Sequence, residues 1–82
     1  MTDDPAAAAI LSLLAERQPE ASICPSEAAR RLDPAGWRNR MVEVREAAVR
    51  LAAAGRLVVT QRGSPVDPAA ARGPIRLRRP EA

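Results

Sequence analysis

The sequence predicts an α+β fold that is mainly helical, in which three helices precede a C-terminal β-hairpin. Two patterns lead to this prediction. Apolar residues recur every three or four positions in three segments before Gly55. After Gly55 the chain becomes β-branched and then alternates apolar with charged residues, as strands do. Because 82 residues suffice for one small domain, we expect a single domain over residues 1–82, ordered from about residue 5 to residue 78.

The first helix is predicted over residues 5–17. Asp4 is a residue type that caps helix N-termini, and Pro5 suits the first helical position, where its missing N–H costs nothing. Pro19 ends the segment, since proline cannot continue a helix. The apolar stripe at helical spacing consists of Ala6, Ala7, Ile10, Leu13 and Leu14.

A short strand and a second helix follow. Residues 22–24 are predicted to be extended and to add a strand to a small sheet. The second helix is predicted over residues 25–32, with Cys24 at its N-cap position. Glu27 stands three residues later, as in a capping box in which a thiol replaces the usual hydroxyl. Residues 33–36 have the composition of a turn.

The third helix is predicted over residues 37–54. Gly55 is the expected residue after its end, because glycine readily adopts a left-handed conformation. We expect Trp37, the one aromatic residue of the chain, to be the main side chain that fills the core. The inward face at spacings of three and four consists of Trp37, Met41, Val44, Ala48, Leu51 and Ala52.

Two strands are predicted after the third helix, over residues 56–61 and 74–78, with a loop over residues 63–73. They should pair as a hairpin, and the helices offer the only apolar surface on which such a hairpin becomes stable. The apolar residues that need this surface are Leu57, Val59, Ile75 and Leu77. The second and third helices then form a helix-turn-helix, and the hairpin makes the whole a winged helix.

Short strings spread from about residue 10 to residue 78 carry a resemblance to a known family. The strings are CPSEAAR at 24–30, WR at 37–38, VR at 44–45, RLA at 50–52, GRL at 55–57 and RGPIRL at 72–77. Together they resemble the bacterial domain-of-unknown-function family 3253, and the first and last strings are the most specific. The resemblance implies a winged-helix-like fold. It implies no activity, and no functional residue is carried over from it.

Missing side chains exclude most chemistry. The chain has no His, Lys, Tyr or Phe and a single Cys, Cys24. A Ser-His-Asp triad, a Schiff-base lysine, a His/Cys metal site and an internal disulfide are therefore impossible within one chain. We expect no enzyme activity, no metal and no cofactor, and a buried, inert Cys24 rather than a redox sensor. The acidic N-terminus and the lack of a long apolar stretch predict a cytoplasmic protein.

Charge is distributed unevenly along the chain. Residues 1–29 hold five acids and one arginine, a net charge of −4. Residues 30–82 hold twelve arginines and five acids, a net charge of +7. A face built from the second part is therefore suited to an anionic partner such as nucleic acid.

The start of the third helix offers candidate DNA contacts. In a helix-turn-helix the N-terminal residues of the second helix reach base edges in the major groove. Here those residues are Arg38 and Asn39, whose side chains match guanine and adenine, with Val42 as a further candidate. Arg40 is placed to hold a phosphate instead.

Two acids on the same helix favour the alternative of a solvated, salt-bridged surface. Glu43 and Glu46 would repel phosphates, and they are expected to pair with Arg50 at helical spacing.

The hairpin carries the second group of candidate contacts. Its arginines are Arg62, Arg72, Arg76, Arg78 and Arg79. A basic wing of this kind can lie along the phosphate backbone or enter a minor groove. The alternative is edge protection, since charged residues on a terminal hairpin discourage strand-to-strand aggregation.

Two arginines near apolar positions are predicted to have a structural role. Arg17 and Arg45 can cover apolar surface with their stems, and Glu27 is a candidate ion-pair partner that would orient the helices. The less favoured alternative is a small anion pocket built from Arg17, Arg45 and Arg76.

Two functions remain open at this point. The first is a DNA-binding or transcription-associated domain that contacts double-stranded DNA through its arginines. The second is a protein–protein interaction module on the same scaffold without nucleic-acid binding, because fold alone does not decide function.

Overall fold

The structure, a computed structural model, describes residues 4–80, in which helices come first and most strands come last. The elements are α1 (Pro5–Ala15), β1 (Ser22–Ile23), α2 (Pro25–Leu32), a 3-10 helix (Trp37–Arg40), α3 (Met41–Ala53), β2 (Val58–Gln61), β3 (Ser64–Pro65) and β4 (Arg76–Arg78). The strands form one antiparallel sheet in the order β1-β4-β2-β3. Three helices and this sheet make the predicted α+β, winged-helix arrangement. None of the described helices is long and apolar enough to cross a bilayer.

Helix α1 begins as predicted and ends two residues early. The Asp4 carboxylate accepts a hydrogen bond from the Ala7 N–H at 3.1 Å, which caps the helix. The α-helix ends at Ala15 rather than residue 17, because the Arg17 N–H bonds three residues back to the Leu14 carbonyl at 3.1 Å. Such contacts tighten the last turn of a helix and finish it.

The start of α2 follows the predicted capping pattern. The backbone N–H of Cys24 donates to the Glu27 carboxylate at 2.8 Å, which is one half of a capping box. The prediction that Cys24 is buried is wrong, since Cys24 is half-buried, and the Ser26 hydroxyl donates to its sulfur at 3.2 Å. The helix keeps its predicted bounds, Pro25–Leu32.

The predicted third helix divides into two parts. Its first turn, Trp37–Arg40, is a 3-10 helix, and α3 begins only at Met41. The prediction that Trp37 fills the core is wrong, since Trp37 is half-buried and packs against the outside of the core. Aliphatic side chains from the helices and the sheet occupy the interior instead. The largest fully buried ones are Ile10, Leu14, Ile23, Val44, Pro25 and Leu77.

Strand β4 lies in the middle of the sheet between β1 and β2. Leu77 faces Ile23 on one side and Val59 on the other, and all three side chains are buried. The predicted hairpin of residues 56–61 with residues 74–78 is confirmed, although its ordered strands begin later, at Val58 and Arg76. The predicted third strand near Ile23 is confirmed as well.

The predicted loop over residues 63–73 contains a strand that the sequence analysis missed. Strand β3, Ser64–Pro65, pairs with the end of β2 across a two-residue turn. Arg62 and Gly63 in that turn have φ values of 51° and 83°, as the tight primed turns of hairpins require. Pro65 suggested a loop, but proline is tolerated on an edge strand, which is where β3 lies.

Two ion pairs on α3 differ from the prediction. Arg50 was expected to pair with Glu43 or Glu46, and it binds Asp4 of α1 instead, with 2.7 Å between Nη2 and Oδ2. Glu43 pairs with Arg40. The hydrogen bond from Arg50, with that from the Ala7 N–H, holds the pKa of Asp4 below its usual value.

Two further ion pairs join α2 to the region around the end of α1. Arg31 binds both carboxylate oxygens of Glu16, at 2.7 and 3.0 Å. Arg17 pairs with Glu27 at 3.0 Å, as predicted, but the two side chains are 40% and 34% exposed, so the pair is not internal. Exposed pairs of this kind stabilise a fold by only about 0–1 kcal/mol.

Shortening Leu77 should destabilise the whole domain. Leu77→Ala removes a side chain with no exposed surface from the middle strand, which typically lowers the free energy of unfolding by about 2–5 kcal/mol. Val42→Ala is the control, because Val42 is 70% exposed and such a surface change stays within about 0.5 kcal/mol. Urea unfolding followed by circular dichroism measures both, and equal midpoints would contradict the central role of β4.

Removing the Asp4 charge should change the response to acid. Asp4→Ala loses the helix cap and should lower the free energy of unfolding by about 1 kcal/mol at pH 7. Asp4→Asn keeps an acceptor but loses the ion pair to Arg50. Because the folded pKa of Asp4 lies below the unfolded one, the stability from its charge is present above about pH 4 and is lost on acidification. Urea unfolding of wild type and Asp4→Asn from pH 7 to pH 3 should therefore converge, and a constant difference would contradict this.

Candidate nucleic-acid interface

The predicted contact residues lie in two regions of the structure. Arg38, Asn39 and Arg40 form the 3-10 turn before α3 together with Trp37. The hairpin residues are distributed over the β2–β3 turn, the segment before β4, and β4 itself. These residues are Arg62, Arg72, Arg76 and Arg78.

The solvent-facing side of α3 has a cationic edge and an acidic edge. Val42, which is 70% exposed, marks the middle of this side. At about 100° per residue, Arg45 lies about 60° to one side of Val42 and Glu46 lies about 40° to the other side. The two charges therefore stand on opposite edges of one exposed helix face.

Contacts with neighbouring elements orient these two edges. The Arg45 Nη2 atom donates to the carbonyl oxygen of Gly73 at 3.3 Å, so the cationic edge faces the segment before β4. Arg50 lies on the other edge and binds Asp4, so the acidic edge faces α1. Arg45 was predicted to cover apolar surface or, alternatively, to line an anion pocket, and no local signal reveals its contact with a residue 28 positions away.

Arg38 rests on the indole ring of Trp37. Its guanidinium carbon lies 4.4 Å from the ring centroid, and that of Arg30 from α2 lies at the same distance. At exposed sites such cation–π contacts contribute about 0.5–1 kcal/mol each. Arg38 and Asn39 are both exposed, so a partner can reach them from solvent.

Arg40 is engaged by a neighbouring carboxylate. Its Nε and Nη2 atoms donate to the two oxygens of Glu43 at 2.8 and 3.2 Å. The hydrogen bond from Arg40 lowers the pKa of Glu43, which stays ionised. The pair neutralises one of the two acids that would repel a phosphate, and it leaves Arg40 less free to bind one.

A cleft opens between the β2–β3 hairpin and the segment that leads into β4. Its volume is about 630 Å³. We call it the wing cleft, and it is lined by Gln61, Arg62, Ser64, Val66, Arg72, Pro74, Ile75 and Arg76. Three of the predicted arginines thus meet at one cleft, and no Asp or Glu lies among its lining residues.

Gln61 holds the two walls of the wing cleft together. Its Nε2 atom donates to the carbonyl oxygens of Arg72 and Pro74, at 2.5 and 3.2 Å. Arg62 and Arg72 are exposed, and neither forms an ion pair within residues 4–80. Gln61 was not among the predicted site residues, because a glutamine at the end of a strand carries no signal of such a clamp.

Arg76 and Arg78 are attached to the sheet. Because Leu77 points into the core, its two neighbours project from the other face of β4. The Nε and Nη2 atoms of Arg76 donate to the hydroxyl and the carbonyl of Ser22, both at 3.0 Å. Arg78 is half-buried and lies in register with Ser22 and Val58.

Glu27 lies in the positive field of both Arg17 and Arg76. Burial raises its pKa, but hydrogen bonds from the Cys24 N–H and Arg17, with the fields of Arg17 and Arg76, bring it below its usual value. Arg45 bonds to Gly73 instead. The three arginines of the alternative anion pocket therefore have separate contacts. The Glu27 carboxylate already lies in the field of two of them, Arg17 and Arg76.

Arg79 does not belong to the basic wing, which corrects its predicted place there. Its Nη2 atom donates to the carbonyl of Leu14 and, at 2.7 Å, to that of Arg17. The Leu14 carbonyl already accepts the Arg17 N–H, so Arg79 adds a charged second donor to it near the negative C-terminal end of α1. Among residues 4–80, no group of three or more Cys, Asp or Glu side chains is arranged to hold a metal ion.

Replacing Arg79 should destabilise the fold. Arg79→Ala removes a charged donor from the carbonyls of Leu14 and Arg17 and should lower the free energy of unfolding by about 1–2 kcal/mol. Arg56→Ala is the matched control, because Arg56 is exposed and its side chain forms no hydrogen bond or ion pair among residues 4–80. Thermal and urea unfolding would measure both variants. Equal stability would show that the C-terminal segment does not support α1.

Comparison with known proteins gives a family and no function. The chain matches the family model described as "Protein of unknown function (DUF3253)" over residues 3–80. No match is found among the curated proteins. The match covers nearly the whole chain, in agreement with the resemblance of its CPSEAAR and RGPIRL strings. This winged-helix chain therefore belongs to the DUF3253 family of proteins of unknown function.

Proposed function

We propose that this domain binds double-stranded DNA and catalyses no reaction. In this arrangement the outward face of α3 enters the major groove, and the arginines of the wing cleft contact the adjacent phosphate backbone. Winged helices can use both elements in this way because the helix reads bases while the hairpin lies along the backbone.

The contact between Arg45 and Gly73 carries the proposal. It joins the cationic edge of α3 to the segment that lines the wing cleft, at 3.3 Å. Arg45 of α3 and Arg72 of the neighbouring segment therefore lie on two parts of the chain that meet at this contact, and Arg38 lies in the 3-10 turn that leads into α3. A duplex seated on α3 would place its backbone next to the wing.

The distribution of the acids supports the same orientation. Glu46 and Glu43 lie toward α1, and Glu43 is paired with Arg40. Arg50, on the acidic edge, is neutralised by Asp4. Among the acids of α3 itself, none lies on the side next to the wing cleft, where Arg45 stands. The carboxylate that does border this side is Asp67, which lies beside Val49 and Ala52.

Each residue in this arrangement has an expected role. Arg38 and Asn39 would hydrogen-bond to base edges, and Val42 would contact an apolar base surface such as a thymine methyl group. Arg62 and Arg72 would bind phosphate, since no carboxylate of the described chain occupies them. Arg76 and Arg78 would add positive charge from the sheet.

A salt titration of duplex binding tests the proposal. Fluorescence anisotropy with a labelled random-sequence duplex should show binding that weakens between about 50 and 200 mM salt. Arg72→Ala should weaken binding to all sequences and reduce the slope of log K against log salt by about one. Arg38→Ala should instead relax sequence preference in a selection from a duplex pool. Arg56→Ala is the control and should behave as wild type.

Two results would overturn the proposal. One is the absence of duplex binding at low salt, and the other is an equal loss of duplex affinity in Arg72→Ala and Arg56→Ala.

The second candidate function, a protein-interaction module, is favoured by the exposure of Val42 at 70% on the middle of α3. It would gain support from a purified protein partner whose binding is lost in Val42→Asp while duplex binding is absent.

A further inference from the structure

The wing cleft has the dimensions of a small-molecule site. Its volume of about 630 Å³ falls within the range of about 300–1,000 Å³ for sites that enclose small ligands. The wing cleft is half open to solvent, whereas a duplex backbone can be held by guanidinium groups on a flat surface and needs no concave site. The wing cleft therefore has room for a phosphate together with the group that the phosphate is attached to.

The polar lining of the wing cleft suits a phosphate monoester. Arg62 and Arg72 have forked guanidinium groups that match two phosphate oxygens, and no carboxylate of the lining competes for them. The Ser64 hydroxyl offers a further donor. A dianionic phosphate gains more from two such arginines than a singly charged carboxylate does.

Three of the eight lining residues of the wing cleft are apolar. Val66, Pro74 and Ile75 border the same cleft as the arginines. Sites for small organic ligands combine such apolar surface with a few polar groups that orient the ligand. The ligand that fits this combination has a phosphate at one end and a small planar or apolar group at the other.

The cleft is built before any ligand arrives. Gln61 fixes the segment of Arg72 and Pro74 by two hydrogen bonds, at 2.5 and 3.2 Å. Arg76 borders the same cleft, but its guanidinium group is bound to Ser22 of β1, so the charges that face a ligand are those of Arg62 and Arg72. A preformed site loses less conformational freedom on binding than a flexible one.

We propose that the wing cleft binds a phosphate monoester of mononucleotide size, and that the bound ligand displaces the DNA backbone from Arg62 and Arg72. The second part rests on the proposed function, since it assumes that the same arginines contact DNA. The first part does not require DNA binding.

Isothermal titration of the DNA-free protein tests the site. The probes are adenosine monophosphate, adenosine and inorganic phosphate. Adenosine monophosphate should bind at least about tenfold more tightly than either of the other two, because only it engages both the arginines and the apolar wall. Equal binding of inorganic phosphate would reveal an adventitious anion contact, and it would overturn the proposal, as would no binding of adenosine monophosphate.

Matched variants locate the site. Arg62→Ala and Arg72→Ala should each weaken binding of adenosine monophosphate by about tenfold, while Arg56→Ala should leave it unchanged. Circular dichroism checks that all three variants are folded. Equal weakening in the three would show that net charge rather than the wing cleft attracts the ligand, and would overturn the assignment.

A competition experiment tests the regulatory part separately. Adenosine monophosphate should release the labelled duplex from the wild-type protein, and adenosine at the same concentration should not. Ligand binding without any duplex binding would keep the site and reject the proposed function. Duplex binding that adenosine monophosphate at saturating concentration does not affect would keep the function and reject the displacement.

Discussion

The packing of β4 between β1 and β2 is the constraint on which the rest of the structure depends. Leu77, with no exposed surface, faces Ile23 and Val59 across the two neighbouring strands. A hairpin of two strands alone is marginal in water, and here a third strand and the helices cover it. The same placement determines which side chains of β4 face away from the core. Because Leu77 points inward and side chains alternate along a strand, Arg76 and Arg78 point outward.

Local sequence patterns predicted most of the fold. The contacts that they missed join residues that lie far apart in the sequence. Periodicity and caps predicted all three helices, and the β-branched run predicted β2, because these signals lie within a few residues of each other. The partner of Arg50 is Asp4, which is 46 positions away, and no spacing rule could reveal it. Arg79 was assigned to the wing for its position in the sequence, yet it reaches back to the end of α1.

The sequence predicted which residue types form the candidate site. It did not predict how the chain brings these residues together. Arg62 and Arg72 were singled out because a winged helix carries basic residues on its hairpin. Their common cleft depends on the turn at Arg62 and Gly63 and on Gln61, which clamps the other wall. Pro65 obscured this, since its local preference suggests a loop while the edge of a sheet tolerates it.

The central strand is also the last element of the described chain to be synthesised. β1 has β4 as its strand partner, and Ser22 and Arg78 pair across 56 positions of sequence. On the ribosome the three helices and β2 are therefore complete while the middle of the sheet is still missing. Until residues 76–78 emerge, the inner edges of β1 and β2 lack their strand partner and stand open to other chains.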